Sequence, residues 1–408
     1  MIKRTAIVLL TALLLISTTG CGSLFNTVTV HEYNEDKVAS SVMEGNNQFA
    51  WDIFKELNQE DSGESIFISP LSISTALSMT YQGAEGTTKD GMAEGLRYQG
   101  IDMEVLNESY RELLKYMNNM DQGIELNIAN SIWAREGGGF KEAFLDINQD
   151  VFDAYVTELD FSKADSADKI NGWIEDATEG KIEEMIQGPI SSNVLMYLIN
   201  AIYFKGSWTV PFEEAQTFDG EFFTEDGDVN DIKMMRRNGK VAYGDGVDFT
   251  AVKLPYGNES TSMYVILPEE NTSINDFIGS MDHKKWNEIR EGISSQKDVE
   301  LQIPKFELEY GIKELNNSLA NLGMGEAFGP AADFSKIREG IFISEVLHKA
   351  VIEVNEEGSE AAAATVVVMT ESAMADPLSF VANRPFMFVI ANDESDTILF
   401  MGKLSGIN

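Results

Sequence analysis

The chain has 408 residues, with 67 Asp and Glu against 30 Lys and Arg and a formal net charge of -37. Such acidity excludes nucleic acid as a partner, because phosphate binding needs clustered Lys and Arg. A single cysteine excludes any intrachain disulfide, and length alone allows one large domain or two to three smaller ones.

Met1 to Gly20 reads as a targeting segment. Lys3 and Arg4 precede an apolar run from Ala6 to Ile16 that is too short to span a bilayer and the right length for a signal-peptide core. Ser17-Thr18-Thr19-Gly20-Cys21 follows, and the placing of Cys21 after a small residue resembles a bacterial lipoprotein cleavage site. The resemblance implies a lipid on Cys21 and an exported protein held at the cell surface, with extracellular release as a further possibility. Thr18 departs from the pattern, since an aliphatic residue is usual there, and simple secretion with an incidental cysteine is the alternative. Residues 21–40 are polar without a sustained period and read as a tether.

From Ser41 the residues Phe49, Ile53, Phe54 and Leu57 recur at helical spacing. Next, an apolar strand Ile66-Phe67-Ile68 stops at Pro70, where a helix with small residues on one face begins, so a neighbour packs closely on it. Glu125 to Ala134 reads as a central strand, and Lys169 to Ile186 as a helix with a late break. Leu195 to Phe204 is a buried strand leading into the turn around Trp208, Pro211 and Phe212. Asn200 inside that apolar run must find partners or cost roughly 1 to 3 kcal/mol. Alternating runs follow at 251–256, 263–268 and 299–310, then a helix from Lys313 to Leu322 ending at Gly323. Two apolar strands around 386–390 and 398–404 close the chain. No repeat or internal linker interrupts 41–408, so one domain is the simpler reading.

Enzyme chemistry has little to stand on. Three histidines are present: His31 in the tether, His283 in a charged segment and His348 in a hydrophobic strand. There is no G-x-S-x-G, H-E-x-x-H or phosphate-loop pattern, and the reading includes no metal and no cofactor.

The informative stretch is Val351 to Pro385. After the strand Val351 to Val354 comes Gly358, then Ser359-Glu360-Ala361-Ala362-Ala363-Ala364-Thr365 and Val366-Val367-Val368. Alanines favour helix and valines favour strand, so the segment has no single local preference. If extended, Glu360 marks the wet face, because an unpaired carboxylate is costly to bury. The opposite face is Ser359, Ala361, Ala363, Thr365, Val367 and Met369, uncharged and small enough at its start to slide between two strands.

This arrangement resembles the reactive-centre loop of the serpins, in which a protease-cut loop inserts as a new strand of the central sheet. The likeness extends over 41–408 and is carried by the hinge Glu356 to Thr365, the segment Asn200 to Phe212, and Arg384-Pro385-Phe386 with Phe400-Met401-Gly402-Lys403. It implies an α+β fold with a large central, mostly antiparallel sheet, further sheets, about nine helices and an exposed loop at about 356–380. It groups Ser69, Ser72, Asn200 and His348 in a cluster controlling sheet opening, and Trp208, Lys305 and Glu356 where the loop enters. It implies a monomer that traps a target serine protease in a covalent 1:1 complex, turning over nothing. The hinge holds no inward charge and no proline from Gly358 to Asp376, which favours an inhibitor over a passive hormone carrier or chaperone. Counting from Glu356 by the family's spacing gives the bond Ser372-Ala373; counting back from Pro385 gives Met374-Ala375. No Lys or Arg occurs from Glu356 to Asn383, which disfavours trypsin-like targets and suits elastase-like or subtilisin-like ones. Chymotrypsin-like enzymes through Met374, a glutamyl-specific protease through Glu371, and papain-like cysteine proteases are the alternatives. The region 102–121, where heparin-binding relatives carry basic residues, is not basic here, so activation by heparin is disfavoured.

Overall fold

The computed structural model describes residues 31–120, 123–293, 295–359 and 378–407. Among these residues it contains nine α-helical segments and three sheets. The six-stranded central sheet runs in the order Phe306–Glu309, Val351–Val354, Gly358–Ser359, Met196–Ser207, Ile124–Arg135, Tyr155–Leu159. Only its last neighbour pair is parallel. A nine-stranded sheet packs behind it, and the long strand Val229–Asp245 pairs there with Phe218–Phe223 at one end and Ser295–Pro304 along the rest.

Met196–Ser207 is apolar over most of its length because both of its faces are covered. Met196, Leu198, Ile202 and Phe204 join the large core, while Ile199 and Ala201 join a second cluster with Trp133, Ile170 and Ile174. The large-core side rests on the helix Pro70–Tyr81, capped by Ser69, whose hydroxyl accepts from the Ser72 N–H, and begun by Pro70. The second cluster is closed by the helix Ser166–Ala177, whose Ala167, Ile170, Ile174 and Ala177 form one apolar stripe.

Three expectations shift. The helix expected over 169–186 spans Ser166–Ala177, because Glu179 and Gly180 turn left-handed at φ 51° and 79°. The helix expected from Lys313 begins later: Lys313–Glu314 is a short strand paired with Leu347–His348, and Asn316–Leu319 carries the first helical turn. The Lys313 ammonium is drawn to Glu60 and Asp61 at the end of the first helix, Ser40–Glu60, which fixes the segment before it can coil. Finally, residues 31–39, read as tether, are docked. The His31 N–H donates to Asn119 O at 2.8 Å, its imidazole meets Glu112 at 2.9 Å, Tyr33 packs on Tyr116, and Val38 is buried.

Candidate functional site: the mouth of the central sheet

Gly358 and Ser359 form a strand of two residues that pairs on both sides. Ser359 stands opposite Val354 on one flank and Gly206 on the other, and Gly358 stands opposite Ser207, all antiparallel. Only glycine fits at 358, since a Cβ there would lie 2.0 Å from the Gly206 carbonyl oxygen. Ser359 is buried, with its hydroxyl 2.7 Å from the Tyr256 phenol oxygen. Tyr256 in turn stacks on Trp208 at 4.4 Å between ring centroids, and burial raises its pKa.

The chain reaches this mouth through a turn tied at each residue. Asn355 accepts from the N–H groups of Glu357 and Gly358 through its side chain, and its own N–H donates to Gly358 O. The Trp208 indole donates to Asn355 O at 3.0 Å, the Trp208 N–H to Glu357 O at 2.9 Å, and the Phe212 N–H to Glu356 O at 2.8 Å. The Glu356 carboxylate is 3.0 Å from the Lys305 ammonium and accepts from the Thr217 hydroxyl at 2.8 Å. Burial alone would push this carboxyl up, but the bonds from Lys305 and Thr217 outweigh it and hold it below the ordinary range. Trp208, Lys305 and Glu356 are thus brought together at this turn. Tyr256 and Thr217 were not foreseen; neither stands out in an unaligned sequence, because each is an ordinary strand or turn residue until the fold brings it here.

Below the mouth a chain of polar groups crosses the sheet. The Ser72 hydroxyl donates to the Asn200 carbonyl oxygen, the Asn200 amide donates to Asn130 Oδ1 at 2.6 Å, and the Asn130 amide donates to Phe152 O at 2.8 Å. Ser69 closes the other end. Its N–H donates to His348 Nε2 at 3.1 Å and its hydroxyl to Leu399 O at 2.8 Å. Because Nε2 accepts, the ring is neutral with its proton on Nδ1, and burial lowers the His348 pKa to about 4. Ser69, Ser72, Asn200 and His348 thus form one connected set. Asn130 is its unforeseen member, though it sits in an apolar strand just as Asn200 does and lies directly opposite it in the ladder.

Beside this cluster, between Met196–Ser207 and residues 340–348, lies a cavity of about 450 Å³. Met196, Leu198 and Asn200 form one wall, Ile343, Val346 and His348 the other, and Ile73 and Leu77 the floor. The cavity continues the line of Gly358 and Ser359 along the sheet. The remaining sequence candidates, Glu360, Ala361, Ala362, Ala363, Ala364, Thr365, Ser372, Ala373, Met374 and Ala375, lie outside the described residues, as does Cys21.

The model of the Serpin (serine protease inhibitor) family matches residues 44–407. A serpin-like protein of Methanosarcina acetivorans is 36% identical over 386 residues, covering 91% of this chain and 89% of the relative. The leukocyte elastase inhibitor of Sus scrofa is 34% identical over 88% of this chain and 98% of its own length. Among solved structures, the thermophilic serpin tengpin in its native state superposes with a TM-score of 0.82 and 31% identity, over 93% of this chain and 96% of that one. The chain belongs to the serpin family of protease inhibitors.

Proposed function

We propose that this serpin is an irreversible suicide inhibitor of serine endopeptidases of the elastase-like or subtilisin-like kind. The observation that carries the reading is the register at the mouth. Antiparallel pairs advance in opposite directions, so a strand continuing from Ser359 would set Ala361 opposite Phe204, Ala363 opposite Ile202, Thr365 opposite Asn200 and Met369 opposite Met196. On the other flank the same count brings Thr365 opposite His348. Its hydroxyl would meet the polar cluster, while Ala361, Ala363, Val367 and Met369 would meet apolar core, and Glu360 would face outward between Lys205 and Glu353.

The chemistry follows from the protease. Its serine oxygen attacks the carbonyl carbon of Ser372, the bond to Ala373 breaks, and the serine proton passes to the departing Ala373 amine. An ester then joins the enzyme to the inhibitor. Insertion of about twelve residues at about 3.3 Å each carries that ester roughly 40 Å along the sheet before water can cleave it. Met374-Ala375 is the alternative bond under the same scheme. Elastase-like specificity draws on the absence of Lys and Arg between Glu356 and Asn383 and on the likeness to leukocyte elastase inhibitors.

The test is incubation with an elastase-like serine protease, then denaturing electrophoresis and mass spectrometry. A 1:1 adduct stable in denaturant, with release of a peptide beginning at Ala373 or Ala375, supports the reading. Cleavage with no adduct refutes it. We also propose that Cys21 carries the lipid; with His31 docked, at most ten residues separate anchor from body, a reach of about 35 Å. Incorporation of labelled palmitate that persists in Cys21→Ser would refute this.

A further inference from the structure

Residues 31–39 run antiparallel along the helix Met103–Met117 and the turn after it. The His31 N–H meets Asn119 O, Tyr33 packs on Tyr116 at 5.2 Å between ring centroids, and the Ala39 N–H donates to the Ser109 hydroxyl at 3.0 Å. His31 and the Lys37 ammonium both reach the Glu112 carboxylate, at 2.9 and 3.4 Å. This leader is held along its length, and its attachment nearest Cys21 is the one at Asn119.

Asn119 sits at the mouth end of the central sheet. Four residues on, Gly123 O accepts from the Ser207 N–H at 3.3 Å, and Ile124, Gly206 and Ser359 share one rung across three strands. A second route agrees. The Tyr116 hydroxyl accepts from the Asn392 amide at 3.2 Å, Asn392 pairs with Thr261, Thr261 pairs with Tyr256, and Tyr256 meets Ser359. Four residues and two strand spacings put Asn119 within about 25 Å of Gly358. The opposite end of the sheet, where Ala134 stands across from Met196 and the Arg135 N–H donates to Leu195 O, lies about 40 Å further along the strand.

Ten residues separate Cys21 from His31, and in any conformation they reach at most about 35 Å. That is no longer than the sheet itself, so the place of attachment decides which end of the molecule stays near an anchor. The formal net charge of -37 opposes adhesion of the body to anionic headgroups, which removes a competing contact that could turn it over. We infer that the docked leader holds the anchored protein with the mouth of its central sheet toward the membrane, keeping Gly358 within about 60 Å of the lipid surface. This rests on the reading of Cys21 as the lipidated residue. Proteases are then captured in the layer next to the membrane, and insertion carries them toward the opposite end.

The test is energy transfer from the full-length lipidated protein to acceptor-labelled headgroups in vesicles of phosphatidylcholine and phosphatidylglycerol. A thiol-reactive donor dye is placed on Val210→Cys, beside the mouth, or on Glu136→Cys, at the opposite end; both positions are exposed. Transfer from position 210 should exceed that from position 136 by about twofold or more, the two sites differing by about 40 Å along the sheet. His31→Ala/Tyr33→Ala, made in each labelled chain, frees the leader and should bring the two transfers toward equality while vesicle binding persists. A Gly/Ser insertion of about 30 residues between Cys21 and His31 adds roughly 30 Å of span. It leaves the folded contacts in place, which guards against misfolding, and should also shrink the difference. Equal or reversed transfer in the otherwise unaltered chain, or a difference that survives both changes, overturns the orientation alone. Vesicle binding that is absent, or equally strong in Cys21→Ser, overturns the lipid reading and the orientation with it.

Discussion

Ser359→Arg places a guanidinium where the sheet has already begun to accept the loop. Ser359 is 1% exposed, is flanked by Val354 and Gly206, and faces the buried Tyr256 phenol. No carboxylate is bonded to that site, so the variant buries an unpaired charge, at a cost of several kcal/mol. If about 3 kcal/mol of this falls on the insertion step, insertion slows roughly 150-fold. Hydrolysis of the ester is unaffected, so the ratio of cleaved chain to adduct rises by the same roughly 150-fold. The matched control is Glu360→Arg. Continued register turns that position outward, beside Glu353 and Lys205, where exchanging surface charge changes the partition by no more than about fivefold. The assay is titration of residual protease activity against inhibitor, with denaturing gels to separate adduct from cleaved chain. Equal adduct yield from both variants would refute the assignment of the insertion face.

Two further outcomes follow from the polar cluster. Asn200→Ala removes the acceptor of the Ser72 hydroxyl and the donor to Asn130 Oδ1, costing about 2 to 4 kcal/mol; melting should fall by roughly 2 to 5 °C, and spontaneous loss of inhibitory activity on warming should accelerate. His348 predicts a pH dependence. Above pH 6.5 the ring is neutral both folded and unfolded and contributes no slope; between 6.5 and about 4 only the unfolded chain takes the proton, so stability falls as pH falls, by up to about 3 kcal/mol. Denaturant titrations of wild type and His348→Gln across this range should diverge below pH 6.5 and run parallel above it.

Much of the site was legible because its residues violate local expectation. Asn200 in an apolar strand and Gly358 before the buried Ser359 each state a requirement that only tertiary structure meets. The strand Val351–Val354 and the helix opened by Pro70 were legible from alternation and capping. What stayed hidden depends on long-range juxtaposition. Thr217 reaches Glu356 across 139 positions and Tyr256 reaches Ser359 across 103, and no local period encodes either meeting. Docking of residues 31–39 was missed for a similar reason: a polar segment without periodicity reads as a tether until Glu112 and Asn119 supply its partners. The helix at 166–177 was drawn too long because its apolar spacing runs on past Glu179, where backbone conformation rather than side-chain pattern ends it.

The central claim is that the intact form is held above its lowest energy by the loop whose first residues, Gly358 and Ser359, already pair within the central sheet. Entry of about ten more residues, each adding ladder bonds worth about 1 to 2 kcal/mol net, gives on the order of 10 to 20 kcal/mol. For 408 residues the unfolding entropy near the midpoint is about 0.9 kcal/mol/K, so the shift is roughly 10 to 25 °C. Melting of the chain before and after a single cut between Thr370 and Asp376 measures it directly. A rise of that size in the nicked form is predicted; an unchanged midpoint, with the new end at 372 still open to exopeptidase, would contradict the account.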